Sequence, residues 1–385
     1  MEFLGYQRPD GTVGVRNYLL VLPTCVCVTH VATQISGNIE NSVAIQHQHG
    51  CGQFGVDFEQ TFRTLVGVGS NPNVAAVLVV GLGCESVSPE KLADKIAKTG
   101  KPVETVIVQH EGGTIKSIEK GLRKGKEMAL EISRLKTSLF SVGELVVGVE
   151  CGGSDTTSGL VANPAVGVAA DMIIDGGGTV ILSETTELIG AEHLLVKRAI
   201  NNDVADRILK IVHRLEKKII EMGGDIRGAN PSPGNIKAGI TTIEEKSLGA
   251  IEKAGHASIV GVLEYGERPQ SKGLYIMDTP GHDVESITGM IAGGSQLIMF
   301  TTGLGTPIGS PITPVVKVTA NPKTYENMKD NIDIDVSSVL KGDESIRKAG
   351  SRIFRCLLEV ASGKKTKSEV LGHKEFAINR IGLTL

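Results

Sequence analysis

The sequence predicts an α/β protein of two domains with mainly parallel, Rossmann-like sheets. Three observations predict it. Apolar runs of strand length alternate with polar or glycine-rich turns and helical stretches along the whole chain. Most runs are continuous in Val, Ile and Leu, as suits parallel strands covered on both faces. The chain has 385 residues, 41% hydrophobic and 22% charged, which is enough for two or three ordinary globular cores.

The first domain is read over residues 1–138. Its candidate strands are "YLLVLPTCVCV" (18–28), "SVAIQHQHGC" (42–51), "VAAVLVVGLGCE" (74–85) and "VETVIVQHEGG" (103–113). Helices are expected near 55–70, 88–99 and 114–136, the last with charged and apolar residues at helical spacing. The second domain is read over 139–385. Strands are expected at 144–155, 179–187, 258–267, 274–283, 295–307 and 314–320, with one long helix over 188–222 and a Gly/Pro/Asn-rich loop over 228–242.

Composition narrows the function. The formal net charge is -3 with Lys and Arg dispersed, which argues against nucleic acid as a main partner. No apolar run reaches the roughly 18 residues of a membrane helix, and the start lacks the pattern of a signal peptide, so a cytoplasmic protein is expected. Forty-eight glycines beside only 3% aromatics favour a small polar ligand gripped by backbone. In a reducing compartment the six cysteines are not expected to pair. Cys356, in "IFRCLLEV", and Cys25 read as packing.

Chemistry gathers where strands end. The stretch "QHQHGCGQ" (46–53) sets His47, His49 and Cys51 at alternate positions, so an extended chain would put all three on one face. Ligands of open parallel sheets bind beyond the carboxyl ends of the strands. The ends here read "TCVC", "HQHGCG", "GLGCES", "QHEGG", "ECGGSD", "SETTE", "TPGHD" and "TTGLGTP", nearly every one with Cys, His, Glu or Asp beside glycine. Thiols and imidazoles together suit Fe or Zn, yet neither a CxxC pair nor an HExxH motif is present, so a metal site must be assembled from distant segments. A dehydrogenase is a poor reading, because "GLGCES" lacks the G-x-G-x-x-G fingerprint.

Several segments resemble the altronate and galactarate dehydratases, a family of sugar-acid hydro-lyases. They are "RPDGTVGVRN" (8–17), "HQHGCGQ" (47–53), "VVGLGCE" (79–85), "CGGSDTTSGLVANPAVG" (151–167), "NPSPGN" (230–235), "EEKSLGAIEKAG" (244–255) and "FTTGLGTP" (300–307). The resemblance implies a β-elimination of water from an aldonate or aldarate, giving a 2-keto-3-deoxy acid. It implies iron, as Fe²⁺ or an iron–sulfur cluster, or else Mn²⁺, held by Cys27, Cys51, Cys84, Cys151 and His47. His49 and His282, or His47 if it is not a ligand, are candidates for acid or base. Arg16 and Lys246 are candidates to clamp substrate carboxylates, and Ser154, Asp155, Asn163 and Thr302 to bind hydroxyls.

Single-chain family members carry a small N-terminal domain ahead of the motif at which this chain starts. The resemblance therefore implies the large subunit of a split, oligomeric enzyme whose small subunit is a separate polypeptide. A relative with that layout, the (2R)-sulfolactate sulfo-lyase, releases sulfite and is the alternative reading. A non-catalytic scaffold subunit is a further one, disfavoured by the placement of the Cys and His residues at strand ends.

Overall fold

The computed structural model describes residues 1–383 and 385. It is an α/β structure with two parallel sheets and one small antiparallel sheet. In the first half, β1 (Glu2–Gln7), β2 (Val13–Gly14) and β3 (Tyr18–Pro23) lead into α1 (Thr29–Ser36). Then come β4 (Ser42–Ala44), α2 (Gly55–Ser70), β5 (Val74–Gly81), α3 (Pro89–Ala97), β6 (Val103–Ile107) and α4 (Thr114–Ile132). The parallel sheet has the order β4-β3-β5-β6. All eight residues of β5 are buried, which explains a strand of almost pure Val, Leu, Ala and Gly.

β7 (Ser138–Ser141) pairs antiparallel with β1, which also pairs with β2. The boundary expected between residues 138 and 139 falls inside this strand. The second half contains β8 (Val146–Cys151), α5 (Asn163–Asp175), β9 (Thr179–Leu182), α6 (Asn202–Glu221) and α7 (Ile243–Ile251). It continues with β10 (Ile259–Leu263), β11 (Gly273–Met277), α8 (Asp283–Ala292), β12 (Leu297–Thr301), β13 (Val315–Thr319), β14 (Ile334–Asp335) and α9 (Ile346–Ala361). Its seven-stranded parallel sheet has the order β10-β11-β9-β8-β12-β13-β14. No helix among the described residues is long and apolar enough to cross a membrane.

Several sequence expectations change here. The strand read over 103–113 ends at Ile107 and turns helical over Val108–Glu111. The loop read over 228–242 holds a short helix over Pro233–Lys237. The helix over 188–222 is broken: a short helix ends at Val196, and α6 starts only at Asn202. Between them Ala199 bridges to Ile259 and Ile200 donates to the Ile259 carbonyl, so the edge of β10 draws these residues out of the helix. Asn201 is extended, and its side chain accepts the Val204 N–H at 2.9 Å, a cap that restarts the helix. The strand over 42–51 is also shorter. Regular pairing stops at Ala44, although Val43, Ile45, His47 and His49 keep alternating inward. Gly50, at φ +99°, then turns the chain and leaves Cys51 exposed, so the three side chains do not share a face.

The halves join through α2 and α8. Apolar residues of both sheets, among them Leu20, Val77, Tyr275 and Phe300, belong to one continuous core. Gly67 of α2 lies against the backbone of Ala292, the last residue of α8, where a Cβ would stand 2.3 Å from the carbonyl oxygen. Asn71 donates to the carbonyls of Ile291 and Ser295, and Asn73 to those of Gln296 and Ile312. A Gly67→Ala substitution should therefore part the two helices and lower the unfolding free energy by about 1–3 kcal/mol in denaturant titration.

Candidate active site

Each parallel sheet presents chemistry at its carboxyl edge. In the four-stranded sheet, Cys27 follows β3, Cys51 follows β4 and Cys84 follows β5. These strands are neighbours, and all three thiols are exposed, whereas Cys25 is buried. Backbone hydrogen bonds stitch the three loops: Val26 N–H donates to His49 at 3.2 Å, and Val87 N–H to Gly50 at 3.1 Å. Gly50 is tightly held, since a Cβ there would lie 1.9 Å from the Thr24 carbonyl oxygen. Behind the thiols, Glu85 accepts from Thr24 Oγ1 and from the N–H groups of Leu82 and Gly83. Burial opposes its charge, but these donors hold its carboxyl below the usual range. Gln109 Nε2 reaches the Cys84 sulfur at 3.4 Å.

His47 is no longer a candidate ligand or base. Its Nε2 donates to the Pro23 carbonyl at 2.8 Å, and its Nδ1 accepts the His49 N–H at 3.3 Å, so neither ring nitrogen is free. Burial pushes its pKa down to about 4, and the ring packs as a neutral strut. His49 differs. Its Nε2 bonds to the Ile378 carbonyl at 3.0 Å, while its buried Nδ1 has no partner. Residues near the C-terminus cross this loop, with Ile381 N–H on Asp57 at 2.8 Å.

The second edge belongs to the seven-stranded sheet and is built of buried charge. Lys253, fully buried, donates to Glu184 Oε2 at 2.7 Å and to Cys151 Sγ at 3.2 Å. Glu184 also accepts the Cys151 N–H at 2.9 Å. Its backbone is left-handed, at φ +66° and ψ +70°, a costly conformation for a residue with a Cβ. Burial raises the Cys151 thiol well above its usual range, and Glu184 adds to this. Beneath them, Glu150 Oε2 accepts from Ser183 and Ser286, while Oε1 has no partner. Burial, then Glu184, drives Glu150 towards its neutral form.

Above this layer lies a cavity of about 380 Å³, bounded by Cys151, Gly152, Gly153, Glu187, Asn230, Lys246 and Asp283. Lys246 bridges Glu187 and the Asn230 side-chain oxygen, both at 2.9 Å. Glu187 Oε2 and Thr186 Oγ1, which also border the cavity, are buried without partners. The first turn of α8 links the two edges. Asp283 borders the cavity, while Glu285 lies close enough to both His282 and His49 for their charges to stabilise its carboxylate against burial.

The structure thus divides the residues singled out from sequence. Cys27, Cys51 and Cys84 come together on one edge, while Cys151 sits on the other with Lys253 and Glu184. Among the described residues no three His, Cys, Asp or Glu side chains are close enough to hold a single metal ion. Lys246 and Ser154 border the cavity, but the neighbouring His282 is exposed outside it. Arg16 is committed to Glu369 at 2.7 Å and to the carbonyls of Val360 and Lys364, a structural clamp instead of a substrate one. Asn163 is used at both ends, by Thr301 and by the Gly249 carbonyl. Asp155 organises its own loop through Thr157, Ser158 and Asn321, and Thr302 accepts the Gly305 N–H. Sequence reading missed Glu184, Lys253, Glu187 and Asp283. Glu184 and Glu187 lay inside the quoted strand end "SETTE" and Asp283 inside "TPGHD". Lys253 lay inside the motif "EEKSLGAIEKAG", just past the end of a helix, with nothing local to mark its role.

Two parallel sheets, one with exposed thiols and the other with buried acid, lysine and thiol groups at its carboxyl edge, define an α/β enzyme. The chain belongs to the D-galactarate/altronate dehydratase family: its second-domain model matches residues 5–133 and its C-terminal model residues 142–384. The chain is 42% identical over 98% of its length to the (2R)-sulfolactate sulfo-lyase subunit beta of Chromohalobacter salexigens, covering 97% of that protein. It is 36% identical to the altronate dehydratase of Bacillus subtilis, covering 78% of it. It is likewise 36% identical to the L-threo-forming galactarate dehydratase of Escherichia coli, covering 76%. These relatives are dehydratases and a sulfo-lyase, and this chain is a lyase.

The buried ion pair gives a direct stability test. Lys253→Met strands Glu184 without its cation and should cost about 3–5 kcal/mol in denaturant titration. Adding Glu184→Gln to it should recover part of the loss, because the uncompensated charge is then gone.

Proposed function

We propose that this protein eliminates water from a sugar acid of the altronate or galactarate type to give a 2-keto-3-deoxy acid. The observation that carries this reading is the wall of the cavity over Cys151. It offers one cation, Lys246, for a carboxylate, and unpartnered oxygens at Glu187 and Thr186 for hydroxyl groups. Such a lining suits a hydroxyl-rich acid. A second reading, release of sulfite from (2R)-sulfolactate, is favoured by the similarity to the sulfo-lyase subunit over nearly its full length. Sulfolactate carries two permanent anions, as galactarate does, whereas altronate carries one, so the acidic groups Glu187 and Asp283 facing one lysine suit altronate best.

The thiol edge is the proposed cofactor site. Three exposed thiols on adjacent strand ends do not converge on one ion, but thiolates are the usual ligands of an iron–sulfur cluster, which asks them to stand further apart. Cys27, Cys51 and Cys84 would hold such a cluster; Cys151 and His47 are left out of this set, since hydrogen bonds already engage the thiol and both ring nitrogens. Bound iron supplies a Lewis acid for the departing oxygen or the substrate carboxylate. On the protein's side, Lys246 would hold the carboxylate and Glu187 and Thr186 the hydroxyls. A separate small subunit is part of the proposal. The sulfo-lyase relative is named as a subunit, and the dehydratase relatives are longer than this chain.

Anaerobic protein, supplied with iron and tested alone and with its small partner, should form a 2-keto-3-deoxy acid from altronate or galactarate. Sulfite from sulfolactate would move the assignment to the second reading, and neither product would overturn both. Bound iron should fall to a small fraction in each of Cys27→Ser, Cys51→Ser and Cys84→Ser and stay near wild type in Cys151→Ser. Equal iron in all four variants would dissolve the proposed cofactor site.

A further inference from the structure

One carboxylate bordering the cavity has no cation or side-chain donor committed to it among the described residues. Asp283 is the first residue of α8 and forms no ion pair among the described residues, where every other acidic group of this edge has a cation or hydroxyl donor. The chain keeps space for it. Gly152, on the opposite wall, has no side chain, and a Cβ there would stand 2.4 Å from Asp283 Oδ2. Glu187 Oε2 remains buried and unpartnered at the same cavity, which marks the space as a place for a ligand with hydroxyl donors.

Resting on the dehydratase reading above, we propose that Asp283 is the catalytic group that moves the proton in the cavity over Cys151. With the substrate carboxylate on Lys246, the Asp283 carboxylate takes the proton from the adjacent hydroxyl-bearing carbon. The C–H electron pair becomes the new carbon–carbon double bond. The bond from the next carbon to its hydroxyl oxygen breaks, and the pair leaves with the oxygen. Asp283 returns the proton to that oxygen, water departs, and the enol rearranges to the 2-keto acid. Atoms and charge balance without any further reactant.

The surroundings suit this task. Burial, then the nearby Glu184, pushes the Asp283 pKa up to about 7; Glu187 adds to this and Lys246 opposes it. Glu150, below, also interacts with it, while His282 and Glu285 share its helix turn. A base with such a pKa works near neutrality. The sign for stability runs the other way. With the folded pKa above the ordinary 3.8, the charged carboxylate weakens the fold as pH rises from about 4 through 7. Removing the charge should then raise the melting temperature at pH 8.

The test compares the wild-type holoenzyme with Asp283→Asn and Asp283→Glu on altronate and galactarate. Expected are a kcat at least about 100-fold lower in Asp283→Asn, KM within about threefold, and a melting temperature at pH 8 no lower than wild type. Wild-type kcat/KM should rise as pH passes through about 7 and lose that step in Asp283→Asn, with partial recovery of kcat in Asp283→Glu. An active wild type with Asp283→Asn within about threefold of it overturns the proposal and leaves the dehydratase reading standing. If Asp283→Asn fails to fold, a wild-type profile flat from pH 5.5 to 8.5 overturns it instead. A wild type inactive on every sugar acid overturns the reading and the proposal together.

Discussion

The backbone contact between α2 and α8 fixes where everything chemical in this protein stands. Gly67 leaves room for the Ala292 carbonyl, and the asparagines just beyond α2 bind the carbonyls that follow. Because α2 runs between β4 and β5, its position is tied to the thiol loops. Because α8 begins at Asp283, its first turn is tied to the cavity. A side chain at position 67 would disturb two strand-end rows at once. The fold therefore has little freedom to move one edge without the other.

The second dependence is electrostatic. Three carboxylates, Glu150, Glu184 and Glu187, are almost wholly withdrawn from water beneath and beside the cavity, with Lys253 and Lys246 as the cations among them. Burial and mutual repulsion push Glu150, Glu187 and Asp283 towards their protonated forms, while Lys253 is held charged because Cys151, then Glu184 and Glu150, outweigh its burial. The strained backbone of Glu184 shows that the surrounding structure enforces this arrangement, the usual mark of a functional site. The thiol edge is built on the opposite plan. Its sulfurs face outward, while its histidines turn inward and bond to backbone carbonyls.

Much of the fold was legible in the sequence because buried parallel strands leave unbroken Val/Ile/Leu runs. The helix expected over 55–70 coincides with α2. What the sequence pattern concealed was the work of neighbours. Nothing in "HLLVKRAINNDVADRILK" reveals that the edge of β10 captures residues 199–200, and Gly50 alone hints that the alternation ends before Cys51. At the site, gathering Cys, His and acids at strand ends located both edges. It merged them into one ligand set, because spacing along the chain cannot say which sheet a strand end joins. Arg16 and Asn163 sit in family motifs yet serve packing, and their partners Glu369 and Thr301 lie more than a hundred residues away. Lys253 also sits in a family motif, and its role was hidden for the same reason: a lysine reads as surface until Cys151 and Glu184 are found beside it.

The central claim is that a thiol-bound cofactor and a substrate cavity flank the first turn of α8. The most direct measurement is a crystal structure of anaerobically prepared protein soaked with a 2-keto-3-deoxy acid, with anomalous data at the iron edge. The account predicts iron density bonded to the sulfurs of Cys27, Cys51 and Cys84, and the acid's carboxylate on Lys246 beside Asp283. Iron at Cys151, or the acid bound away from that cavity, would contradict it.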